Sequence, residues 1–301
     1  MGEKKHLIVI GGATASGKTA LAIRLAQHFS TEIVSADSRQ FYREMNIGTA
    51  KPNELELALV KHHFINNLSI HTDYSVGDYE REAMRVLETI FEKKNVAIMV
   101  GGTGLYIKAV CEGLSEFPET PLSIRQEFQD LYEKEGIEIL QKKLQEVDYK
   151  YFMQVDRDNP VRLIRALSVW KATGKPFSSF MQPVKPKRFF ETIYISTDLP
   201  RPVLYKRINQ RVEAMIYQGL VEEARSLYPF KNLNALQTVG YSELFEYFED
   251  AVTFAEAIDK IKQHTRNYAK RQVTWFKKDK PWQLFAPDDF EGILSFLDTC
   301  M

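Results

Sequence analysis

The chain has 301 residues, of which 44% are hydrophobic and 27% charged, and its 40 basic residues balance 40 acidic ones. This length can bury a sizeable core in one large or two modest domains, and zero net charge excludes a protein that is basic over its whole surface. No apolar run reaches the roughly 18 residues of a membrane span, and the two isolated cysteines, Cys111 and Cys300, have no metal-binding or disulfide spacing. The charged N-terminus does not resemble a secretory signal, so we expect a cytoplasmic protein without a membrane segment.

A phosphate-binding loop is predicted close to the start of the chain. Residues 7–10 form a short β-branched run typical of a buried strand, and a helix is predicted from about Thr19 to Phe29. The segment between them satisfies the pattern G-x-x-x-x-G-K-[ST] with Gly12, Ala13, Thr14, Ala15, Ser16, Gly17, Lys18 and Thr19. Glycines let backbone N–H groups close on an anion, a lysine adds positive charge, and the final hydroxyl is a ligand for Mg²⁺. The segment therefore predicts a site for a di- or triphosphate.

Two further loops follow predicted strands. Asp37 comes just after the short strand 33–36, and a glycine loop around Thr103 follows the apolar run 96–100. A helix of 3.6-residue period is predicted between them at 76–93, and strands that alternate with helices indicate a parallel sheet. Ligands gather at the carboxyl ends of such strands, so we expect the phosphate loop, Asp37 and Thr103 to line one crevice. The strand at 96–100 ends in glycines and not in an acidic residue, which argues against an ATP-hydrolysing motor or switch.

Three polar residues each have two interpretations. Asp37 could bind Mg²⁺ through water or act as a general base, or it could serve only to form an Asx turn. Thr103 could reach a ligand among the glycines, or lie in a tight turn that uses glycines for positive φ. Arg211, within a predicted helix, could hold a phosphate or be an ordinary surface ion-pair partner.

The centre of the chain has a different character. Two amphipathic helices are predicted between Leu122 and Val147, broken near Gly136, and a third from Pro160 to Thr173, with no strand pattern among them. A strand at 189–197 then returns the chain to the sheet, followed by predicted helices at 201–218, 221–227, 240–248 and 254–278. We predict an α/β fold with a P-loop parallel-sheet core, helices on both of its faces, and a helical insertion domain. The core would comprise residues 1–114 and 189–301, and the insertion residues 115–188.

Basic residues are concentrated in two segments. Residues 157–188 hold eight Lys or Arg and one acidic residue, and residues 260–280 hold the same numbers. One such run alone is typical of a solvated helix face. Two of them beside a phosphate site in a neutral protein favour a polyanionic partner.

Several separated motifs together carry a resemblance to a known family. Beside the phosphate loop they are Ser35–Gln40, Ile47–Pro52, Val100–Tyr106, Ile164–Leu167, Thr173–Pro176, Val239–Tyr241 and Thr265–Gln272. Over about residues 7–280 the chain resembles the tRNA dimethylallyltransferases, which place an isopentenyl-type group on an adenosine beside the anticodon. A P-loop alone is shared by many functions, whereas the aspartate motif, Ile47–Pro52 and the C-terminal run together are close to unique to this family.

The resemblance implies a role for each polar residue. The phosphate loop would hold a prenyl diphosphate, with Lys18 and Thr19 binding the diphosphate and Mg²⁺. Asp37 would be the general base that takes a proton from the adenine exocyclic amine, and also a ligand of the metal. Thr103 would lie near the reacting centre, and Arg211 would help to hold the diphosphate. The expected catalytic residues are thus Lys18, Asp37, Thr103 and Arg211.

The same resemblance implies partners. They are dimethylallyl diphosphate and the anticodon stem-loop of a tRNA, with no membrane and no protein partner, so we expect a monomer. Contacts with tRNA are expected at Asp37, Ser38, Arg39, Gln40, Thr103, Arg125, Arg162, Arg165, Val239, Gly240 and Tyr241.

Two other functions compete with this one. A small-molecule or nucleotide kinase would use the same loop on ATP and would need an arginine-bearing lid, for which residues 157–175 are a candidate. A non-catalytic RNA-binding protein would keep a degenerate loop, against which the intact Lys18, Thr19 and Asp37 argue. Prenyl transfer, unlike the kinase, predicts a requirement for RNA and no nucleoside triphosphatase activity.

Overall fold

The computed structural model describes residues 4–115, 117–181, 186–278 and 282–301. Residues 182–185 of the first basic run and 279–280 of the second therefore lie outside the described residues. The chain divides into two compact units, one formed by Met1–Glu112 with Arg188–Met301 and the other by Gly113–Lys187. We refer to them as the sheet unit and the helical unit.

The sheet unit is built on a parallel sheet. Within the described residues its six strands are β1 (His6–Gly12), β2 (Ile33–Ser35), β3 (His62–His63), β4 (Val96–Val100), β5 (Glu191–Thr197) and β6 (Gln283–Phe285). Their order across the sheet is β3-β2-β4-β1-β5-β6, and every pairing is parallel. In the register, Ile10 of β1 lies beside both Val100 of β4 and Ile195 of β5, so the carboxyl ends of the central strands lie level. This edge is where the sequence places the phosphate loop, Asp37 and Thr103.

Helices are present in both units. In chain order they are α1 (Lys18–His28), α2 (Glu54–Leu59), α3 (Val76–Phe91), α4 (Gly104–Glu112), α5 (Leu122–Glu135), α6 (Ile137–Val147), α7 (Tyr149–Phe152), α8 (Pro160–Thr173), α9 (Arg201–Tyr217), α10 (Leu220–Leu227), α11 (Ser242–Phe248), α12 (Phe254–Lys278) and α13 (Phe290–Cys300). No helix among the described residues combines the length and the apolar character needed to cross a bilayer.

Successive side chains of β1 point to opposite faces of the sheet, and so the core of the sheet unit has two layers. Leu7 and Val9 join a buried cluster with Leu87 of α3, while Ile8 joins a second cluster with α1 and with Leu297 of α13. These side chains are fully buried, and burial of each contributes about 1.5–3 kcal/mol. The predicted parallel sheet with helices on both faces is confirmed.

The elements that the sequence did not predict are mostly short. Strands β3 and β6 have two and three residues, and helix α2 has six, so none of them is long enough to show a clear period. Helix α13 was also missed, although it is eleven residues long. The helix predicted from Gly240 begins at Ser242, because Gly240 has a φ of +100° and donates its N–H to the Glu243 carboxylate at 2.7 Å.

The helical unit contains α5 to α8, with no strand among its described residues. Helix α8 begins after Asn159, whose side chain accepts a hydrogen bond from the Arg162 N–H, and ends at Gly174 with a φ of +69°. As predicted, the helix has a proline at its first position and a glycine directly after its last residue. The core of this unit mixes aliphatic and aromatic side chains, with the fully buried Leu140 and Leu163 in one cluster with Phe128.

Candidate active site

The predicted phosphate loop joins β1 to α1 at the carboxyl edge of the sheet. Gly12, Ala15 and Gly17 have φ angles of +135°, +61° and +94°. At Gly12 a side chain is also excluded by space, because a Cβ atom there would lie 2.4 Å from the Thr197 hydroxyl oxygen. The turn leads directly into the first turn of α1, whose backbone N–H groups have no partner within the helix and favour an anion.

The loop is supported from behind by later parts of the chain. The hydroxyl oxygens of Ser16 and Thr197 lie 2.5 Å apart and are buried. Ala13 and Ala15 are buried in one cluster with Ile208 of α9. The conformation of the loop is therefore fixed by β5 and α9 as well as by its own glycines.

Lys18 is held close to the loop that precedes it. Its ammonium group donates a hydrogen bond to the Ala13 carbonyl at 2.5 Å. Burial lowers the pKa of Lys18 to about 8, while the Asp37 carboxylate opposes the shift and the Arg211 guanidinium adds to it. Lys18 is thus close enough to Asp37 and Arg211 for their charges to act on it.

Asp37 follows β2 and is partly buried. One of its carboxylate oxygens accepts a hydrogen bond from the Arg39 backbone N–H at 3.0 Å, which is an Asx-turn geometry. Burial raises the pKa of Asp37, and the charges of Lys18 and Arg39 oppose the rise. A carboxylate with a raised pKa is a stronger base, so the turn and a functional role are compatible at this residue.

The glycine loop after β4 packs directly against the segment that carries Asp37. A Cβ atom at Gly101 would lie 2.3 Å from the Ala36 carbonyl oxygen. The Thr103 hydroxyl accepts the Ser38 backbone N–H at 3.2 Å, and the Thr103 N–H donates to the Ala36 carbonyl at 3.3 Å. Thr103 is therefore held by hydrogen bonds to the two residues that flank Asp37.

A cavity of about 610 Å³ lies at this edge of the sheet, and all of its lining residues belong to the sheet unit. One wall is formed by the phosphate loop, the Asp37 segment and the Thr103 loop. Other lining residues come from the segments 48–52, 237–240 and 265–272. Its volume suits a small ligand or a single base with its reactant. The structure brings the four expected catalytic residues together here: Lys18, Asp37, Thr103 and Arg211.

Arg211 reaches this cavity from α9. Burial lowers its pKa, and the Glu56 carboxylate opposes the shift. Within the parts of the chain that the structure describes, no hydrogen bond or ion pair engages its guanidinium, so the surface ion-pair interpretation does not hold. A half-buried arginine that faces a phosphate loop is suited to bidentate binding of phosphate.

The donor atoms at the cavity fit a magnesium ion shared with a diphosphate. Thr19 and Asp37 both line the cavity and offer a hydroxyl and a carboxylate. The described residues contain no group of three or more His, Cys, Asp or Glu side chains that could form a metal cage. Mg²⁺ needs no such cage, because it usually takes one or two protein oxygens and completes its shell with phosphates and water.

Two of the residues expected to contact tRNA use their side chains to brace the cavity walls. The Arg39 guanidinium donates to the carbonyls of Asn234 and Ala235 at 2.9 and 3.2 Å. The Gln40 side-chain amide donates to the Thr49 carbonyl at 3.2 Å. Both residues line the cavity together with Ser38, and their contact with tRNA stays a prediction.

Within the 239–241 segment Val239 is partly exposed, whereas Gly240 and Tyr241 are buried. Val239 and Gly240 line the cavity. Tyr241 is fully buried, and its hydroxyl donates to the Glu223 carboxylate at 2.6 Å. The Tyr241 side chain offers tRNA no surface, so the contact predicted there could involve only its neighbours.

Three arginines expected to contact tRNA belong to the helical unit. Arg125 of α5 and both Arg162 and Arg165 of α8 are exposed. The Arg165 guanidinium lies 5.2 Å from the centre of the Phe117 ring, within cation–π distance. Their role in RNA binding stays a prediction.

Two residues that build the cavity walls were missed from the sequence. The Glu223 carboxylate accepts the backbone N–H groups of Asn46, Ile47 and Gly48 at 2.9, 2.9 and 3.0 Å, and so fixes the start of the Ile47–Pro52 segment. Gln272 joins the phosphate loop to the Thr103 loop. Gln272 had a signal, because it interrupts the apolar stripe of α12, whereas nothing in the local sequence distinguishes Glu223 from a surface glutamate.

The cavity brings together a phosphate loop, the partly buried Asp37 carboxylate and the Arg211 guanidinium, and strand β4 ends without an acidic residue. These features define a P-loop group-transfer enzyme. A family model described as IPP transferase matches residues 40–279, and the chain belongs to this family. It is 53% identical over 295 residues to a tRNA dimethylallyltransferase of Christiangramia forsetii, with 98% of each chain covered. It is 50% identical over 287 residues to the enzyme of the same name from Flavobacterium johnsoniae, with 93% of each covered.

Solved structures that are similar to this chain come from proteins with related descriptions. A full-length tRNA isopentenylpyrophosphate transferase from Bacillus halodurans is 34% identical with a TM-score of 0.73, covering 99% of this chain and 96% of that one. A eukaryotic dimethylallyltransferase described as acting on tRNA is 28% identical with a TM-score of 0.79, covering 98% of this chain and 76% of that one.

Proposed function

We propose that this protein transfers a dimethylallyl group from dimethylallyl diphosphate to the exocyclic amine of an adenosine next to the anticodon of a tRNA, releasing diphosphate. The observation that carries the proposal is the cavity in which Lys18, Asp37, Thr103 and Arg211 meet. The identity of 53% to a curated tRNA dimethylallyltransferase over nearly the whole chain supports the choice of substrates.

The first requirement of this reaction is a stable leaving group. The bond between the allylic carbon and the diphosphate oxygen breaks, and both electrons leave with the diphosphate. The backbone N–H groups at the start of α1, the Lys18 ammonium and the Arg211 guanidinium would neutralise the charge that develops there. Mg²⁺, held by the Thr19 hydroxyl and the Asp37 carboxylate, would supply further positive charge on the diphosphate.

The second requirement is an activated nucleophile. The adenine amine is a weak nucleophile, because its lone pair is delocalised into the ring. As the new carbon–nitrogen bond forms, Asp37 would take one proton from the amine. Thr103 is bonded to the backbone on both sides of Asp37 and so holds the geometry of the base. An adenine can enter such a cavity only after it leaves the base stack, which costs a few kcal/mol.

A kinase is not favoured by the residues at this edge of the sheet. Strand β4 ends in Val100 and continues into glycines, so it lacks the acidic residue that holds Mg²⁺ in P-loop NTPases. The cytoplasmic location and the monomeric state stay predictions.

A transfer assay tests the proposal. Purified protein, Mg²⁺, radiolabelled dimethylallyl diphosphate and unmodified tRNA are mixed, with Asp37→Asn as the test variant and Asp298→Asn, exposed on α13, as the matched control. We expect label in tRNA with the wild type and the control, and a transfer rate about 10²–10⁴-fold lower with Asp37→Asn. Phosphate transfer from ATP to a small acceptor, with no label in RNA, would instead identify a kinase.

A further inference from the structure

One side chain of α12 joins the loops that follow β1 and β4. The Gln272 amide oxygen accepts a hydrogen bond from the Thr14 backbone N–H at 2.8 Å. The Gln272 amide nitrogen donates to the Gly102 carbonyl at 2.9 Å. The residue is only 5% exposed. Gln272 therefore connects the phosphate loop directly to the glycine loop that carries Thr103.

The connection begins where the sheet ends. The pairing of β1 with β4 stops at Ile10 and Val100, after which the Gly101 N–H donates to the Ile10 carbonyl at 3.2 Å. Gln272 forms hydrogen bonds with Thr14 and Gly102, which follow the ends of β1 and β4, so it links the two segments beyond the point where the strands stop pairing. A side-chain amide is suited to this task because, like a backbone, it presents one acceptor and one donor group.

Space and polarity allow one orientation of this amide. A Cβ atom at Gly102 would lie 2.2 Å from the Gln272 amide nitrogen, so the amide packs directly on the glycine backbone. If the amide were rotated, its NH₂ group would face the Thr14 N–H and its oxygen would face the Gly102 carbonyl. A carboxylate in its place would still accept from Thr14 but would oppose the Gly102 carbonyl.

The position of Gly102 determines the position of the groups that follow it. Thr103 donates its N–H to the Ala36 carbonyl and accepts the Ser38 N–H, and these two residues flank Asp37. A continuous set of hydrogen bonds thus runs from the phosphate loop through Gln272 to both sides of Asp37.

We propose that Gln272 is a positioning residue for the transfer step. It fixes the spacing between the loop that binds the diphosphate and the loop that carries Thr103 beside Asp37. This inference rests on the proposed prenyl transfer, in which a carbon attached to the diphosphate must meet an amine held at Asp37. A misplacement of about 1 Å in such a geometry reduces the rate about 10²-fold.

Three variants test the role. Gln272→Met has a similar volume and loses both hydrogen bonds, and Gln272→Glu keeps the acceptor for Thr14 but loses the donor to Gly102. Gln263→Met, at an exposed position of the same helix, is the matched control. The dissociation constant of inorganic diphosphate is measured by calorimetry, and prenyl transfer to tRNA is measured in a single turnover.

The two substitutions at Gln272 should affect binding and transfer differently. We expect Gln272→Glu to bind diphosphate within about 3-fold of the wild type at pH 5.5, because the protonated side chain adds no negative charge beside the phosphate loop and the Thr14 N–H keeps its acceptor. We expect Gln272→Met to lose about 10²-fold in single-turnover rate. The control should match the wild type in both measurements.

A pH series separates positioning from general damage to the fold. A protonated glutamic acid carries an O–H where the amide carries its N–H, so it again donates to the Gly102 carbonyl. The ratio of the Gln272→Glu rate to the wild-type rate should therefore fall as the pH rises from 5.5 to 8.5. Taking the ratio removes the titration of groups that both proteins share.

The inference is overturned if Gln272→Met loses less than about 3-fold in rate, or if the Gln272→Glu ratio does not change with pH. If Gln272→Met does not fold, the pH series of Gln272→Glu decides alone. A wild type that binds diphosphate but modifies no tRNA would overturn the proposed function and this inference with it. A wild type that transfers the group, with unaffected Gln272 variants, would overturn the inference alone.

Discussion

Replacement of Lys18 by methionine should stabilise the protein while it abolishes diphosphate binding. The Lys18 side chain is partly buried in the phosphate loop, and burial lowers its pKa from 10.5 to about 8. At pH 7 the native protein must nevertheless keep this group charged, because a neutral amine gives the diphosphate no counter-charge. The stability of the protein is therefore reduced by a residue that its function requires.

The magnitude follows from the pKa. The difference between 10.5 and about 8 is about 2.5, and each unit corresponds to about 1.36 kcal/mol, so charged Lys18 costs the native state up to about 3 kcal/mol. This net cost already includes the attraction to Asp37. Methionine removes the cost, but it also removes the hydrogen bond to Ala13, worth about 1 kcal/mol. We expect the free energy of unfolding at pH 7 to increase by about 1–2 kcal/mol.

The pH dependence of this gain tests its cause. The pKa of Lys18 is lower in the native protein than in the unfolded chain, so between about pH 8 and 10.5 the unfolded chain binds more protons. Wild-type stability therefore gains a contribution from Lys18 as the pH rises through this window, and the Lys18→Met variant lacks it. The advantage of the variant should shrink as the pH approaches 10.

Urea unfolding followed by tryptophan fluorescence measures the effect. Trp275 and Trp282 lie in the sheet unit, which contains Lys18, whereas Trp170 lies in the helical unit. With Trp170 replaced by Phe in every protein compared, the fluorescence reports on the sheet unit. Lys108→Met, at an exposed position of α4, is the control and should change stability little at either pH. A variant that is no more stable than the wild type at pH 7, or whose advantage is the same at pH 9.5, would refute the reasoning.

Further predictions concern the same cavity. Lys51→Met should destabilise the protein by about 1–3 kcal/mol, because the Lys51 ammonium donates hydrogen bonds to three oxygen atoms that methionine would leave without a donor. This is expected even though the pKa of Lys51, like that of Lys18, is lowered to about 8, and unchanged urea unfolding would contradict it. Glu223→Gln should lower the thermal midpoint, since each carboxylate oxygen accepts two donors and the amide NH₂ would face two of the four; an unaltered midpoint would count against this role of Glu223. Gly101→Ala should reduce transfer at least about 10²-fold, because its Cβ would lie 2.3 Å from the Ala36 carbonyl, and a normal rate would show that the loop can move. The ratio kcat/KM for the diphosphate should fall above about pH 8 as free Lys18 loses its proton, whereas a flat profile to pH 10 would exclude that role.

The parts of the site that could be predicted are those that lie in loops directly after strands. Gly12, Asp37 and Thr103 are marked by local patterns, and the rule for parallel sheets then places them at one edge. The sequence also indicated the buried strand β1 and the helix α3, because the apolar run of the first and the 3.6-residue period of the second are visible in single segments.

The parts that could not be predicted depend on contacts between distant segments. Glu223 resembles any surface glutamate in its own helix, and its role exists only because the backbone of residues 46–48 folds onto it. The lowered pKa of Lys18 comes from burial by several segments and has no local signal. Tyr241 was expected to contact RNA, but its burial depends on where Glu223 lies.

The strand order has a consequence for how the protein is made. Strand β1 ends at Gly12, yet its neighbour β5 begins at Glu191, about 180 residues later. At about 5–20 residues per second, a ribosome needs roughly 10–40 s to synthesise that stretch, during which this edge of β1 has no strand beside it. Thr197 and Gln272, which support the phosphate loop, arrive at the end of that interval and after it. An N-terminal fragment that carries the whole phosphate-binding motif would therefore lack its supports, and the nascent chain acquires its capacity to bind a diphosphate only when synthesis is nearly complete.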